Sequence, residues 1–218
     1  IGVYLTPLLA LITFNSTGFF AYTGVFTLYI LVPILENIYP KNTYNFSKNE
    51  KELAKKDFFY DFILFLLVPI HLFVIYNFLI AISNPEILLF DLIAYLFMMG
   101  TVLGVNGING GHELGHKTEN SLKVFCAHIL LTTSLQNHFM TYHNSGHHKD
   151  VATANDFSSA KKGSIFYFFA IRSQIGGYFK TWRLEAQILK IKNKSPLLNP
   201  MILHTLLPWS FVGLIYLF

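Results

Sequence analysis

Two short blocks of the chain hold five of its nine histidines. The first block contains His112 and His116, and the second contains His143, His147 and His148. Residues four apart share one face of a helix, so each block can present two imidazoles to one ion. Neutral imidazole suits zinc, iron, copper and nickel, and five imidazoles exceed the needs of one tetrahedral zinc. The blocks therefore predict a transition-metal site with two metals, or with one metal and further ligands elsewhere.

The remaining composition is that of an integral membrane protein. The chain has 218 residues, of which 53% are hydrophobic and 13% are charged, whereas soluble domains carry about 25% charged residues. The single cysteine, Cys126, excludes an internal disulfide and a cysteine-based zinc site. Both ends, Ile1 and Phe218, look like cut points. We therefore expect one integral-membrane domain over 1–218 that is truncated at both ends.

Long apolar runs predict the elements that position the histidines. A helix of about 20 apolar residues can cross the hydrocarbon core of a bilayer. The fold expected is all-α, a polytopic transmembrane helix bundle with a cytoplasmic histidine-rich metal site. The apolar runs are 3–14, 19–38, 58–83, 87–107 and 196–218. Three other elements are expected: a helix in the cytoplasmic half at 121–140, an interfacial or re-entrant aromatic run at 164–175 and a basic amphipathic helix at 180–194.

The distribution of basic residues predicts how these elements are oriented. All 16 lysines and arginines lie between 41 and 56 or between 117 and 194. Cytoplasmic loops are rich in lysine and arginine, so both stretches are expected in the cytoplasm and the uncharged-to-acidic turn at 84–85 on the far side. The run 87–107 then leads back to a cytoplasmic first block. Topology thus explains the net charge of +4 without a nucleic-acid partner.

Two other classes of function stay open from the residues alone. His112-Glu113-Leu114-Gly115-His116 fits the H-E-x-x-H pattern, in which two histidines hold zinc and the glutamate is the general base. An intramembrane zinc protease would take an acidic third ligand from a later span, but the second histidine block is the more obvious complement. A non-enzymatic membrane protein that binds or transports metal is the other class.

Three stretches carry a resemblance to a known family. They are Asn109-Gly110-Gly111-His112-Glu113-Leu114-Gly115-His116-Lys117, His143-Asn144-Ser145-Gly146-His147-His148, and residues 151–160. They resemble the first histidine motif, the second motif and the segment after it in membrane-bound alkane monooxygenases (alkane hydroxylases), members of the fatty-acid desaturase and hydroxylase superfamily. The resemblance implies a di-iron centre. The iron ligands that it implies in this chain are His112, His116, His143, His147 and His148, and the family has further histidine ligands toward the C-terminus.

The resemblance also implies a reaction and its partners. Such enzymes hydroxylate the terminal methyl of n-alkanes with O2 and with electrons from rubredoxin. Rubredoxin is in turn reduced by rubredoxin reductase. Attack on an unactivated C–H bond needs a redox-active metal, which iron is and zinc is not. We therefore expect a multi-pass protein of the bacterial inner membrane whose active site faces the cytoplasm. Within the superfamily, an aromatic methyl group or a fatty acyl chain is the alternative substrate.

The chain departs from the family pattern beside the proposed ligands. Tyr142 stands where the family usually has glutamate, Ser145 where it has arginine, and Ala154-Asn155 where it has Pro-Glu. No ligand is lost, but the groups that fix imidazole tautomer and orientation are affected, since outer partners set both. The candidates for such outer contacts are His138, Asp156 and Glu113.

Overall fold

The computed structural model describes residues 2–40, 43–116 and 119–217, and its regular elements within these ranges are all helices. The all-α prediction is confirmed. Three described helices, at Gly18–Ile38, Phe58–Ile82 and Leu89–Gly115, are long and apolar enough to cross a membrane. In chain order the helices are α1 (Leu5–Phe14), α2 (Gly18–Ile38), α3 (Lys48–Lys56), α4 (Phe58–Ile82), α5 (Leu89–Gly115), α6 (Ser121–Thr133), α7 (139–150), α8 (Phe166–Ile191) and α9 (Met201–Leu217).

Helix α5 extends beyond its predicted end, and the helix predicted at 121–140 is broken. Hydropathy falls after position 107, but α5 continues to Gly115 through the π-helical section Leu103–Asn109. Helix α6 ends at Thr133 because Leu135 adopts a left-handed backbone with φ of 58°. There the Gln136 N–H donates to the carbonyl of Leu131 over 2.7 Å and closes the helix end.

Two further boundaries differ from the sequence prediction. The aromatic run 164–175 and the basic segment 180–194 were expected as separate elements, but both lie in the single helix α8. No proline interrupts the stretch between them, so hydrogen bonding continues although composition changes. The basic stretch 41–56, expected as a cytoplasmic loop, contains α3. Its first residues, Lys41 and Asn42, lie outside the described residues, as do Lys117 and Thr118.

The chain divides into two compact units. Unit 1 comprises Ile1–Leu114 and Phe125–Leu130, and unit 2 comprises Gly115–Val124 and Leu131–Phe218. Unit 1 therefore contains the three candidate spans almost entirely, whereas unit 2 contains most of the histidine-bearing sequence.

Unit 1 is built around α1, which packs against α4 and α5. The ring of Phe14 contacts Phe78 and Tyr95, with centroids 5.4 and 5.7 Å apart. Gly24 lets α2 come close, because a Cβ there would lie 2.8 Å from Met98 Sδ. Small residues at such crossings are typical of membrane helices. This packing fixes α5, whose last turns carry the first histidine block.

Unit 2 is organised by α8, which packs against α7. Gly176 allows the loop after α7 to press on α8, since a Cβ there would lie 2.1 Å from the Phe157 ring. Lys180 donates to Asp150 Oδ2 over 2.6 Å and to the carbonyl oxygen of Asn155 over 2.8 Å. Helix α8 therefore braces both the end of α7 and the loop that follows it.

Candidate metal centre

The first histidine block lies at and just after the end of α5, and the second lies within α7. His112 lies in the last turns of α5, within unit 1, and its Nδ1 is 3.7 Å from Oε1 of the exposed Glu113. His116 directly follows α5 and belongs to unit 2, as do the three histidines of α7. Unit 2 thus holds four of the five predicted ligands.

Those four side chains, His116, His143, His147 and His148, form one group of rings that we call the histidine cluster. His143 is central, with ring centroids 4.5 Å from His148, 5.1 Å from His116 and 5.4 Å from His147. His148 also lies 5.5 Å from His116 and 6.0 Å from His147. One ring nitrogen of His116 lies within 4.8 Å of one of His143. The structure therefore brings together residues separated by up to 32 positions in the sequence.

The donor set of the histidine cluster suits a transition metal. A metal–imidazole bond is about 2.1 Å long, so two rings that share an ion have centroids within roughly 6.5 Å of each other. The ring separations given above all meet that limit. Imidazole nitrogen is a donor for iron, copper and zinc alike, so the rings fit a bound metal without selecting one by geometry.

Helix α7 is not the regular α-helix that the i,i+4 spacing suggested. Its middle section, Tyr142–His147, has π-helical hydrogen bonding, and α-helical turns flank it at Phe139–Thr141 and His148–Asp150. The wider turn leaves His143 and His147 stacked at 25°. Single π turns within helices are often found at functional sites. The second block therefore presents three rings from a locally widened helix.

Gly115, inside the first block, belongs to unit 2 and lies in close contact with α7 of the same unit. A Cβ at Gly115 would lie 2.7 Å from Met140 Cγ. The side-chain amide of Asn144 donates to the Gly115 carbonyl oxygen over 3.3 Å. Both contacts lie next to members of the histidine cluster. A side chain at Gly115 would therefore push Met140 away and disturb the neighbouring histidines.

Asp156 accepts a hydrogen bond from His147, as the sequence suggested. Its Oδ2 lies 2.9 Å from His147 Nδ1 and accepts from Ser159 Oγ over 2.5 Å. Its Oδ1 accepts from the Tyr142 hydroxyl over 2.8 Å and from the Ser158 backbone N–H over 3.0 Å. The carboxyl is almost completely buried, with 1% of the residue exposed. Each oxygen therefore accepts two hydrogen bonds.

These hydrogen bonds keep the carboxylate ionised. Burial alone would raise the pKa of Asp156, but donation from Ser159, Tyr142, the Ser158 backbone and His147 outweighs it and lowers the pKa to about 2. Burial raises the pKa of the Tyr142 phenol, which favours its protonated, donating form. Sequence reasoning identified Asp156 but treated Tyr142 only as a departure. The Asp-x-Ser-Ser sequence at 156–159 indicated the contact between Asp156 and the Ser158 N–H, since aspartate often accepts a hydrogen bond from the backbone N–H two residues on.

His138 lies elsewhere in unit 2, in a cavity of about 350 Å³. Its ring packs against Tyr178, with centroids 5.4 Å apart, and His204 and Trp209 also line the cavity. Burial lowers the pKa of His138 to about 4, so the imidazole is neutral. Its expected role as an outer partner of the ligands stays a prediction.

Comparison with known proteins gives consistent similarities along most of the chain. Over 210 residues, this chain is 31% identical to alkane 1-monooxygenase 1 of Alcanivorax borkumensis. Over the same length it is 30% identical to alkane 1-monooxygenase of Ectopseudomonas oleovorans and 29% identical to alkane 1-monooxygenase of Pseudomonas putida. Each alignment covers 93% of this chain and 52% of the relative. No protein-family model matches the chain.

The chain is thus similar to alkane 1-monooxygenases along most of its length, which confirms the resemblance that the histidine motifs carry. The chain spans about half the length of the curated relatives that it matches.

Proposed function

We propose that the chain is part of a membrane-bound di-iron alkane monooxygenase. The five iron ligands that it contributes are His112, His116, His143, His147 and His148. The histidine cluster is the observation that carries this proposal, because its four rings come from two separate stretches of the sequence and each lies 4.5 to 5.4 Å from the ring of His143 or is that ring. His112 joins the set because it precedes His116 by four residues and occupies the matching place in the first motif.

The reaction proposed is hydroxylation of the terminal methyl of an n-alkane. One oxygen atom of O2 enters the alcohol and the other leaves as water, with two electrons and two protons consumed. Iron, when bound, supplies the redox chemistry that activates O2 and attacks the C–H bond. The relatives are named as alkane 1-monooxygenases, which favours an alkane over an aromatic methyl group or a fatty acyl chain.

The protein's own side chains hold and orient the proposed ligands. A carboxylate is an acceptor only, so the His147 Nδ1 beside Asp156 carries the proton and donates. In a neutral imidazole with hydrogen on Nδ1, the other ring nitrogen, Nε2, carries no hydrogen and can be the donor atom for a metal. Carboxylate–histidine–metal arrangements of this kind fix the tautomer and raise the basicity of the ligand.

A zinc protease built on the H-E-x-x-H sequence is a weaker explanation of the same residues. Such a site pairs two histidines with a carboxylate as third ligand, but the rings beside His116 are those of His143 and His148. Imidazole neighbours favour a histidine-rich centre over the protease. Tightly bound zinc in the isolated protein would reverse that preference.

The test of the proposed function uses the full-length protein, reconstituted with Fe2+ under anaerobic conditions. About two irons per chain are expected by metal analysis, together with conversion of an n-alkane to its primary alcohol in the presence of O2 and reduced rubredoxin. Omission of rubredoxin should stop turnover, and an 18O2 label should appear in the alcohol. One tightly held zinc per chain, or alcohol without the label, contradicts the proposal.

The electron donor proposed is rubredoxin, kept reduced by its reductase. Arg183, Lys190, Lys192 and Lys194 are exposed at the C-terminal end of α8 and in the turn after it. A cluster of exposed cations attracts an acidic partner and speeds its association. Anionic headgroups compete for the same surface, so turnover that rises as rubredoxin concentration increases and falls with salt would favour the protein partner.

The bacterial inner membrane is the location proposed, with the histidine cluster facing the cytoplasm. The support is the restriction of lysine and arginine to 41–56 and 117–194. Cysteine labelling tests this orientation in a background where Cys126, the one cysteine of these 218 residues, and any cysteine in the rest of the full-length protein are replaced by alanine. Ser145, beside the histidine cluster, and Asn84, in the turn between α4 and α5, are both exposed.

A membrane-impermeant maleimide should label Ser145→Cys of the full-length protein only in inside-out vesicles. It should label Asn84→Cys only in intact spheroplasts. The two variants serve as controls for each other, because each reports one face of the same membrane. Labelling of Ser145→Cys in spheroplasts would contradict the cytoplasmic orientation.

A further inference from the structure

Tyr142 connects the histidine-bearing helix to the loop that follows it. It is the first residue of the π-helical section of α7, and only 4% of it is exposed. Its hydroxyl donates to Asp156 Oδ1 over 2.8 Å and accepts from the Ser158 backbone N–H over 3.2 Å. The two bonds use the hydroxyl as donor and as acceptor, which fixes its orientation.

The ring of Tyr142 is closely packed between α7 and α8. A Cβ on Gly146 would lie 3.1 Å from the ring, and one on Gly177 of α8 would lie 3.5 Å from it. Glycines at both places therefore leave a slot between α7 and α8 that the ring fills. The ammonium of Lys180 lies 5.8 Å from the ring centroid, close enough for a cation–π contact.

Asp156 divides its two oxygens between Tyr142 and His147. Oδ1 faces the Tyr142 hydroxyl, and Oδ2 faces His147 Nδ1 at 2.9 Å. A carboxylate is planar, so restraint of one oxygen also restrains the other. The angle at which His147 meets Asp156 therefore depends on the bond that Tyr142 makes on the opposite side.

We infer that Tyr142 is a positioning residue for His147 and acts through Asp156. It orients the carboxylate, which in turn holds His147 in the tautomer with hydrogen on Nδ1 and leaves Nε2 for a metal. This inference rests on the proposed metal-binding role of His147. It assigns a function to a side chain that stands where the resembling family has glutamate.

The Tyr142→Phe variant tests the inference because it removes one hydroxyl and keeps the ring. The full-length apoprotein is titrated with Co2+ alone, and both the dissociation constant and the visible absorption of the bound Co2+ are measured. Loss of an outer partner of a metal ligand costs about 10–100-fold in affinity. We expect a loss of about tenfold for Tyr142→Phe, with a shifted Co2+ spectrum.

Tyr178→Phe is the matched control. Tyr178 lies in the same unit, and its hydroxyl makes a 2.8 Å hydrogen bond with Thr205. That variant should bind Co2+ with wild-type affinity and spectrum. Tyr142→Phe with the same affinity and spectrum as wild type would overturn the inference.

A double-mutant cycle separates action through Asp156 from a general packing effect. In an Asp156→Ala background the tyrosine has no carboxylate to orient, so Tyr142→Phe should change Co2+ affinity by less than about twofold. An equal loss in both backgrounds would show that the hydroxyl does not act through Asp156. The titration needs neither O2 nor alkane, so a failed hydroxylase test with an intact Tyr142 effect would contradict only the proposed function.

Discussion

Replacing His143 by alanine should abolish iron loading and alkane hydroxylation together. His143 contacts each of the other three rings of the histidine cluster, at centroid distances from 4.5 to 5.4 Å. Loss of an outer partner alone costs about 10–100-fold in metal affinity, so loss of this ligand should cost more than about 100-fold. Iron per chain and primary alcohol formed per minute measure the two effects on the full-length protein.

The matched control for this variant is His204→Ala. His204 belongs to the same unit and lines the cavity that contains His138 and Trp209, so its loss also removes one imidazole from unit 2. Iron content and turnover should stay near wild type in that variant. Circular dichroism checks that both variants keep their helices. If His143→Ala retained both iron and turnover, the second block would not supply ligands.

The membrane-spanning part of the fold could be predicted closely from hydropathy. The spans expected at 19–38 and 58–83 match α2 and α4 within one residue at each end. A long apolar run predicts a membrane-spanning helix because all backbone hydrogen bonds must then be made within that helix. The requirement is local, so the run alone is enough to locate the helix. The prediction failed at α8, because its aromatic N-terminal half and basic C-terminal half satisfy different surroundings while one hydrogen-bonded helix joins them.

The chemistry of the candidate site was also visible in the sequence, but its geometry was not. Histidine spacing predicted rings on common faces, and four of them meet in unit 2. The spacing could not predict the π-helical section, because an inserted π turn depends on what the helix packs against. Here the ring of Tyr142 fills a slot that glycines of α7 and α8 leave open.

The role of Tyr142 was hidden for a related reason. A tyrosine before a histidine carries no signal in one sequence, and its partner Asp156 lies 14 residues away. The contact depends on the loop that returns from the end of α7, and Gly176 and Lys180 of α8 shape that loop. Loop closure of this kind is decided by tertiary packing and not by periodicity.

Replacement of Asp156 is expected to have the second large effect, and the result should depend on the new residue. Asp156→Ala removes the acceptor for four buried or half-buried donors, including the Ser158 backbone N–H. Unsatisfied buried donors cost about 1–3 kcal/mol each. We therefore expect a loss of at least about 3 kcal/mol in the free energy of unfolding of the full-length protein, measured with denaturant in detergent, together with weaker metal binding.

Asp156→Asn should lose metal affinity with less loss of stability. The position of Oδ1 faces the Ser158 N–H, which can only donate, so the amide oxygen must lie there. The amide NH2 is then directed at His147 Nδ1 and at the Ser159 hydroxyl. Ser159 can rotate to accept, but His147 can accept only as the other tautomer, with hydrogen on Nε2. That nitrogen would no longer be available to a metal.

Asp150→Asn separates this tautomer effect from the loss of any negative charge nearby. Asp150 lies at the end of α7 and pairs with Lys180 over 2.6 Å, so its neutralisation changes the charge without changing the His147 hydrogen bond. Co2+ affinity should fall at least about tenfold in Asp156→Asn and stay near wild type in Asp150→Asn. Equal losses in the two variants would mean that charge, and not the His147 tautomer, sets the affinity. A loss confined to Asp156→Asn requires the carboxylate to act as the acceptor that holds His147 ready for a metal.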